Sequence, residues 1–146
     1  MIMQKHTHLL FGLGLSIFFI RLFFSGYSIG IQILFCLIGT SMAIVSDWLD
    51  FRIANGQYHR NKLTHNVFSP LLIAIFLTGY IIGNWILGVI YCIIFESHIL
   101  LDSTTLSGVW LGWTSKIRGH WYSHAILPNV GWRVLGVIFL LGGILL

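Results

Sequence analysis

Trp85-Ile86-Leu87-Gly88-Val89-Ile90-Tyr91-Cys92-Ile93-Ile94-Phe95-Glu96-Ser97-His98-Ile99-Leu100-Leu101-Asp102 is the stretch on which the fold turns. From Trp85 to Leu101 it is a nearly continuous apolar run, close to the ~20 residues that one helical crossing of a bilayer needs. The run ends on an imidazole and a carboxylate, His98 and Asp102, spaced four apart. On a helix that spacing turns both side chains to one face. The first expectation is therefore a membrane helix whose end carries a ligand pair.

Other runs of the same character surround it. Leu9 to Phe24 is broken only by Arg21, and Tyr27 to Val45 is about long enough to span. Phe68 to Ile82 pairs with Trp85–Leu101 across a tight turn at Gly83-Asn84, and Val134 to Leu146 is a short last run that spans a thin region or lies in the interface. Hydrophobic residues make up 57% of the 146, and charged ones 8%, against about 25% in an ordinary globular chain. Four acids and eight Lys/Arg cannot cover a water-exposed surface, which excludes a soluble domain. The expectation is one integral membrane domain over 1–146, an all-α polytopic helical bundle. It has four or five transmembrane helices, with polar loops or short helices on the cytoplasmic face. Cys36 and Cys92 both lie inside apolar runs, so no disulfide framework is expected. Leu9–Ile20 has the look of a signal-peptide core, but Arg21 follows and no Ala-x-Ala site appears, so an uncleaved helix is expected.

Charge then orients the chain. If each run crosses once, Lys5, Arg52, Arg60, Lys62, Lys116, Arg118 and Arg133 fall on the side of the N-terminus, and Arg21 alone falls on the other. Lys and Arg stay in cytoplasmic loops, so the N-terminal side should be cytoplasmic, and the net charge of +4 reports orientation rather than a nucleic-acid partner. The same assignment gathers His6, His8, His59, His65, His98, His120 and His124 on or within a turn of that face, with Asp47, Asp50 and Asp102. The histidines took no part in choosing the orientation, so their clustering is independent of it.

Imidazole and carboxylate are ordinary ligands of zinc and comparable divalent metals. Ionisable groups at a membrane helix end usually face an internal cavity and mark function. For His98 and Asp102, interfacial capping in headgroup water is an equal alternative. Glu96 points about 200° from His98 on a regular helix, so it falls outside that ligand face and reads as structural, with a second-shell or acid/base role open to it on a distorted helix. Asp47 and Asp50 close the second run, as metal ligands, as second-shell partners of a ligand histidine, or as helix-end solvation. His8 is the ligand candidate at the start of the first helix, where Thr7 serves as a cap, and His6 reads as solvated.

In His59-Arg60-Asn61-Lys62-Leu63-Thr64-His65, the two histidines share a metal only across a loop or broken helix. Arg60 beside them can clamp a phosphate or carboxylate oxygen, and a basic loop facing anionic lipid heads is the plain alternative. His120 and His124 repeat the four-residue spacing among interfacial aromatics and rank below the others as ligands. The chain lacks HExxH, GxSxG and GxxxxGK[ST] signatures, which sets aside zincins, serine hydrolases of that type and P-loop enzymes.

Taken in order, these elements resemble a known family. Thr7-His8-Leu9-Leu10-Phe11-Gly12 resembles its N-terminal His motif, and an acidic pair follows after a membrane helix. His59-Arg60 through Thr64-His65 resembles its His-Arg-Gly-x-Thr-His-Ser element. The segment from Ser97-His98-Ile99 through Asp102, Thr105 and Gly108-Val109 resembles its Ser-His-Ile-x-x-Asp-x-x-Thr-x-x-Gly-Val element. The family is the YdjM-type group of LexA-regulated, inner-membrane-bound predicted metal-dependent hydrolases, and the resemblance runs from Thr7 to Trp113. It implies a prokaryotic inner-membrane location and metal-site roles for His8, an Asp of the 47/50 pair, His59, His65, His98 and Asp102. The chain departs from the pattern at four places. Phe51 stands where a histidine is expected, the His59–His65 gap is one residue longer, and Asn66 and Thr114 replace a serine and a common proline.

The functional expectation is a membrane-bound metal-dependent hydrolase at the cytoplasmic headgroup level. Its ion is zinc first, with manganese or iron as alternatives, and Asp50 or Asp102 serves as general base. Arg60 stabilises charge on a phosphate or carbonyl oxygen. Location at the membrane surface points to membrane lipid as neighbour and to an amphiphilic lipid or polyprenyl phosphate ester as substrate. Two other classes stand beside it. A non-catalytic structural or partner-binding membrane protein is kept open by Phe51. A divalent-metal transporter or sensor would need polar groups at several depths, whereas here they gather at one face.

Overall fold

The computed structural model describes residues 5–53, 64–66, 68, 76–105, 108–111, 115–119 and 126–146. Among these, four α-helices carry the fold: α1 (Lys5–Phe24), α2 (Ile29–Ile53), α3 (Trp85–Ser103) and α4 (Ile126–Leu145). A π-helix (Phe76–Ile81) precedes α3, and two short strands, β1 (Val109–Leu111) and β2 (Ser115–Ile117), lie between α3 and α4. The polar segment after α3 thus contains a small antiparallel hairpin, where loops or short helices were expected. Trp110 pairs with Lys116 at its centre, and the β-branched and aromatic residues of Val109-Trp110 and Ile117 favour strand over helix.

Among the described residues, three helices are long and apolar enough to cross a membrane: α1 from His6 to Phe24, α3, and α4. The apolar part of α2, Ile29–Val45, is shorter, although the helix itself continues to Ile53 and carries Asp47 and Asp50 within it rather than beyond its end. The last run is also longer than its sequence reading. Helix α4 begins at Ile126, not near Val134, because Pro128 falls in its first turn, where a missing N–H costs no helical bond. Exposed Ile29, Ile33, Leu34 and Leu37 on α2, and Val134, Ile138, Leu141 and Ile144 on α4, make apolar faces larger than a water-soluble monomer shows.

Helix α1 is central. It runs antiparallel to α2, with Phe24 against Phe35 at one end and Gly12 against Ala43 nearer the other. It runs antiparallel to α3 as well, since His8 near its start meets Asp102 near the end of α3. Against α4 it is parallel: Thr7 touches Asn129, Phe11 lies beside Gly136, and Phe18 beside Gly143. The two glycines make this approach possible. A Cβ at Gly136 would stand 2.9 Å from the Phe11 Cα, and one at Gly143 would stand 2.8 Å from the Phe18 Cα. Small residues at helix interfaces are the usual means of close packing in lipid, where the hydrophobic effect gives no drive for helices to associate.

Buried Phe11, Leu15, Ile20 and Phe24 of α1 meet Leu87, Ile90, Tyr91 and Ile94 of α3 and Ala43 of α2. Hydroxyls inside the helices are satisfied locally, as where Ser16 donates to the Gly12 carbonyl at 2.7 Å and Thr40 to that of Cys36 at 2.8 Å. Asn84 caps α3 by accepting from the Leu87 N–H at 3.0 Å, and Gly83 supplies the positive φ of 70° that the preceding turn requires.

Candidate metal centre

Helix α3 ends with His98 and Asp102 on one face, and the structure brings His98 Nε2 to 3.6 Å from Asp102 Oδ2. Past the helix, Thr105 accepts at its carbonyl from Gly108 N–H at 3.0 Å, and Gly108, at φ 64°, turns the chain into β1. Buried Val109 packs that strand on Phe95 and Ile99 of α3. The next residue holds the second histidine in place: the Trp110 N–H donates to the His65 carbonyl at 2.8 Å. The polar turn carrying His65 is in this way fixed to the end of α3.

Asp47 arrives from α2 and His65 from the loop, so four residues from three segments converge. One ligand atom from each of Asp47, His65, His98 and Asp102 lies within 4.8 Å of all the others. His65 Nε2 stands 3.4 Å from Asp47 Oδ1 and 3.4 Å from Asp102 Oδ2, and His98 Nε2 stands 3.7 Å from Asp47 Oδ1. His8 joins from α1, with Nε2 3.6 Å from Asp102 Oδ1 and its ring centroid 4.2 Å from that of His98. It touches the group without belonging to its four-membered core. Exposure is 1% for His8, His65 and His98, 0% for Asp102 and 7% for Asp47, so water does not screen these charges.

This donor set fits a divalent cation. With neutral imidazoles the two carboxylates leave the group at a charge of −2, which a buried site tolerates only with compensation. The N···O separations of 3.4–3.7 Å exceed ordinary hydrogen-bond lengths. They approach the separation of about 3.4 Å between two ligands that each lie ~2.1 Å from a tetrahedral ion. His65 is oriented from outside, since its Nδ1 lies 3.3 Å from Thr64 Oγ1 while Nε2 faces both carboxylates. At Asp47, burial pushes the carboxyl up, but the His65 and His98 imidazoles facing it outweigh that. The net effect holds this carboxyl below its ordinary range.

The structure therefore unites His8, Asp47, His65, His98 and Asp102. His59, Arg60, His120 and His124 lie outside the described residues, as does the side chain of Asp50. His6 is exposed, as expected. Glu96 stays out of the group and lines an apolar cleft on another side of α3, where its Oε1 is buried with no hydrogen-bond partner among the described residues.

Sequence reading missed several supporting residues. Thr7 Oγ1 donates to Asn129 Oδ1 at 3.0 Å and accepts from Arg133 Nε at 3.1 Å, which ties the start of α1, and His8 with it, to α4. Asn129 and Arg133, four apart in an otherwise apolar helix, were the available signal. Asn66 closes a local turn by accepting from the Phe68 N–H at 3.0 Å. No protein-family model, curated protein or solved structure matches the chain.

Proposed function

We propose that this is a multipass membrane protein with a divalent metal centre at its cytoplasmic face, working as a hydrolase of an amphiphilic phosphate ester or related ester. In this reading the N-terminus is cytoplasmic, the membrane is a prokaryotic inner membrane, and the chain crosses four or five times. One observation carries it: Asp47, His65, His98 and Asp102 present ligand atoms within 4.8 Å of one another, buried at one end of the bundle. The resemblance to the YdjM-type hydrolases supports it from the sequence side.

Asp47, His65, His98 and Asp102 would hold the ion, zinc before manganese or iron, with His8 beside them. Such an ion supplies a Lewis acid that brings the pKa of water toward ~7 and polarises a phosphoryl or carbonyl oxygen. Asp102 faces three imidazoles and holds them in position. Asp50, one turn beyond Asp47 on α2, serves as the general base, and Arg60 takes charge on the substrate's anionic oxygen.

The test is the metal content of the detergent-purified protein by elemental mass spectrometry, beside the His98→Ala/Asp102→Ala double variant, followed by a phosphoester and lipid-ester screen. One equivalent of metal in the parent, lost in the double variant, together with metal-dependent turnover is the expected result. A parent protein that takes up none of the three metals on reloading refutes the reading.

A second reading is favoured by the near-complete burial of every ligand. Closed sites with four protein ligands are the structural kind, and here such a site would tie the ends of α1, α2 and α3 together. Stoichiometric metal without turnover, and a large fall in thermal stability on chelation, would select it.

A further inference from the structure

The two carboxylate oxygens of Asp102 face different histidines. Oδ2 stands 3.4 Å from His65 Nε2 and 3.6 Å from His98 Nε2, whereas Oδ1 stands 3.6 Å from His8 Nε2. The sequence resemblance puts these three histidines in the metal site on equal terms, and the structure does not. Ligand atoms of Asp47, His65, His98 and Asp102 lie within 4.8 Å of one another, and His8 stands outside that group.

Ring spacing separates the histidines in the same way. Two imidazoles on one tetrahedral zinc, each nitrogen ~2.1 Å from it, hold their ring centroids about 5 Å apart. The His65 and His98 centroids are 5.6 Å apart, which suits two ligands of one ion. Those of His8 and His98 are 4.2 Å apart with the planes tilted by 42°, too close for the same role. His8 meets the group at Asp102 Oδ1 instead, and both side chains are fully buried there. A carboxylate that ligates through one oxygen is ordinarily held at the other by a hydrogen bond, which keeps it in position.

We propose that His8 is a positioning residue rather than a ligand: its Nε2–H holds Asp102 Oδ1, so that Asp102 offers Oδ2 alone to the ion. This rests on the metal centre of the reading above, but not on hydrolysis. The 3.6 Å separation closes to a hydrogen bond of about 3.0 Å with a small turn of the carboxylate. The support continues outward from His8. Its neighbour Thr7 donates to Asn129 and accepts from Arg133, which anchors the start of α1 on α4. The orientation of one ligand oxygen is thereby set from a helix that supplies none of the four ligands.

X-ray absorption at the zinc edge, on the full chain purified in detergent and loaded with zinc, counts the imidazoles on the ion. Two per zinc are expected in the parent protein, and still two in His8→Ala. Zinc affinity of His8→Ala, measured by competition with a chelating dye, should fall by about 10–100-fold, as when other outer partners of metal ligands are removed. With cobalt(II) in place of zinc, losing the hold on Oδ1 should let Asp102 bind through both oxygens. The visible absorption should then weaken as the coordination number rises. His8→Gln, whose amide N–H can stand in for Nε2–H, should restore the parent spectrum and most of the affinity, which a residue that merely fills space would not require. Three imidazoles per zinc in the parent, or a cobalt spectrum that His8→Ala leaves unchanged, overturns the proposal and leaves the metal reading standing. Two zinc ions per chain, one of them lost in His8→Ala, overturns it as well, because His8 would then be a ligand of the second. A parent protein that takes up no metal refutes the metal reading, and this proposal with it.

Discussion

At the end of the bundle away from the His/Asp group, Arg21 donates to Gln32 Oε1 at 3.3 Å, and Gln32 donates in turn to the carbonyls of Tyr27 at 2.8 Å and Ser25 at 3.3 Å. Nearby, Asn84 caps its own helix. At the opposite end, Asp47, His65, His98 and Asp102 face one another across 3.4–3.7 Å, and they come from segments far apart in sequence. The first arrangement joins α1 to α2 and ends the helices: donors meet acceptors within a loop's reach. The second converges lone pairs and negative charge on one buried point. A membrane protein gains no stability from concentrating charge in that way without a counter-ion. The contrast between a polar network that closes on itself and one that converges on a centre is the physical reason for assigning function to one end only.

The sharpest way to break that contrast is Asp102→Asn. The substitution keeps the shape and removes one of two negative charges from a carboxylate that touches His8, His65 and His98. Zinc affinity measured by competition with a chelating dye should fall by at least about 100-fold. Retained affinity would mean that the group holds no ion through this residue. Next in size is Gly136→Val, which leaves every site residue in place. Its side chain would enter the backbone of α1 at Phe11, costing about 1–3 kcal/mol by overpacking and lowering the midpoint of thermal unfolding. Because α1 carries His8, weaker metal binding should accompany the loss. An unchanged midpoint would show that α1 and α4 are not packed so closely.

Much of this was legible in the sequence, for reasons that differ from residue to residue. The helices were visible because lipid demands long apolar runs, and the His98–Asp102 pair because one helix places residues four apart on one face. The distribution of Lys and Arg along the sequence collects His8, Asp47 and His65 on the same side but does not bring them into contact. That contact depends on Gly108 turning the chain and on a backbone bond from Trp110 to His65, which no spacing in the sequence specifies. The start of α4 was misjudged because Pro128, Asn129 and Arg133 look like loop residues. In the structure Pro128 occupies a permissive first turn, and the other two point at Thr7. The hairpin was hidden by its length, since three-residue strands leave no periodicity to read.

The Thr7 network offers a finer probe of the same contrast, because it is a closed polar network located at the site end. Thr7→Val removes both hydrogen bonds to α4 while keeping the side chain's volume. It should lower stability by about 1–2 kcal/mol, since Asn129 is left buried with one partner fewer. Zinc affinity should fall by no more than about tenfold, through loss of support for the neighbouring His8. Thr7→Ser, which keeps the hydroxyl, should restore both. A Thr7→Val protein as metal-poor as Asp102→Asn would place Thr7 among the groups that hold the ion rather than those that position one.

The smallest effect belongs to Gln32→Leu at the far end. Gln32 is buried and joins Arg21 to two backbone carbonyls, so its loss should cost something, yet hydrogen bonds between membrane helices average only about 0.6 kcal/mol. A slight fall in unfolding midpoint with unaltered zinc affinity is the expected outcome. The value of the variant lies in its pairing with Asp102→Asn: two buried polar side chains, one at each end of the bundle. If both lose metal equally, ion binding reports global integrity, and the distinction between the two ends disappears. If only Asp102→Asn loses it, the converging network is a site and the closed one is scaffold.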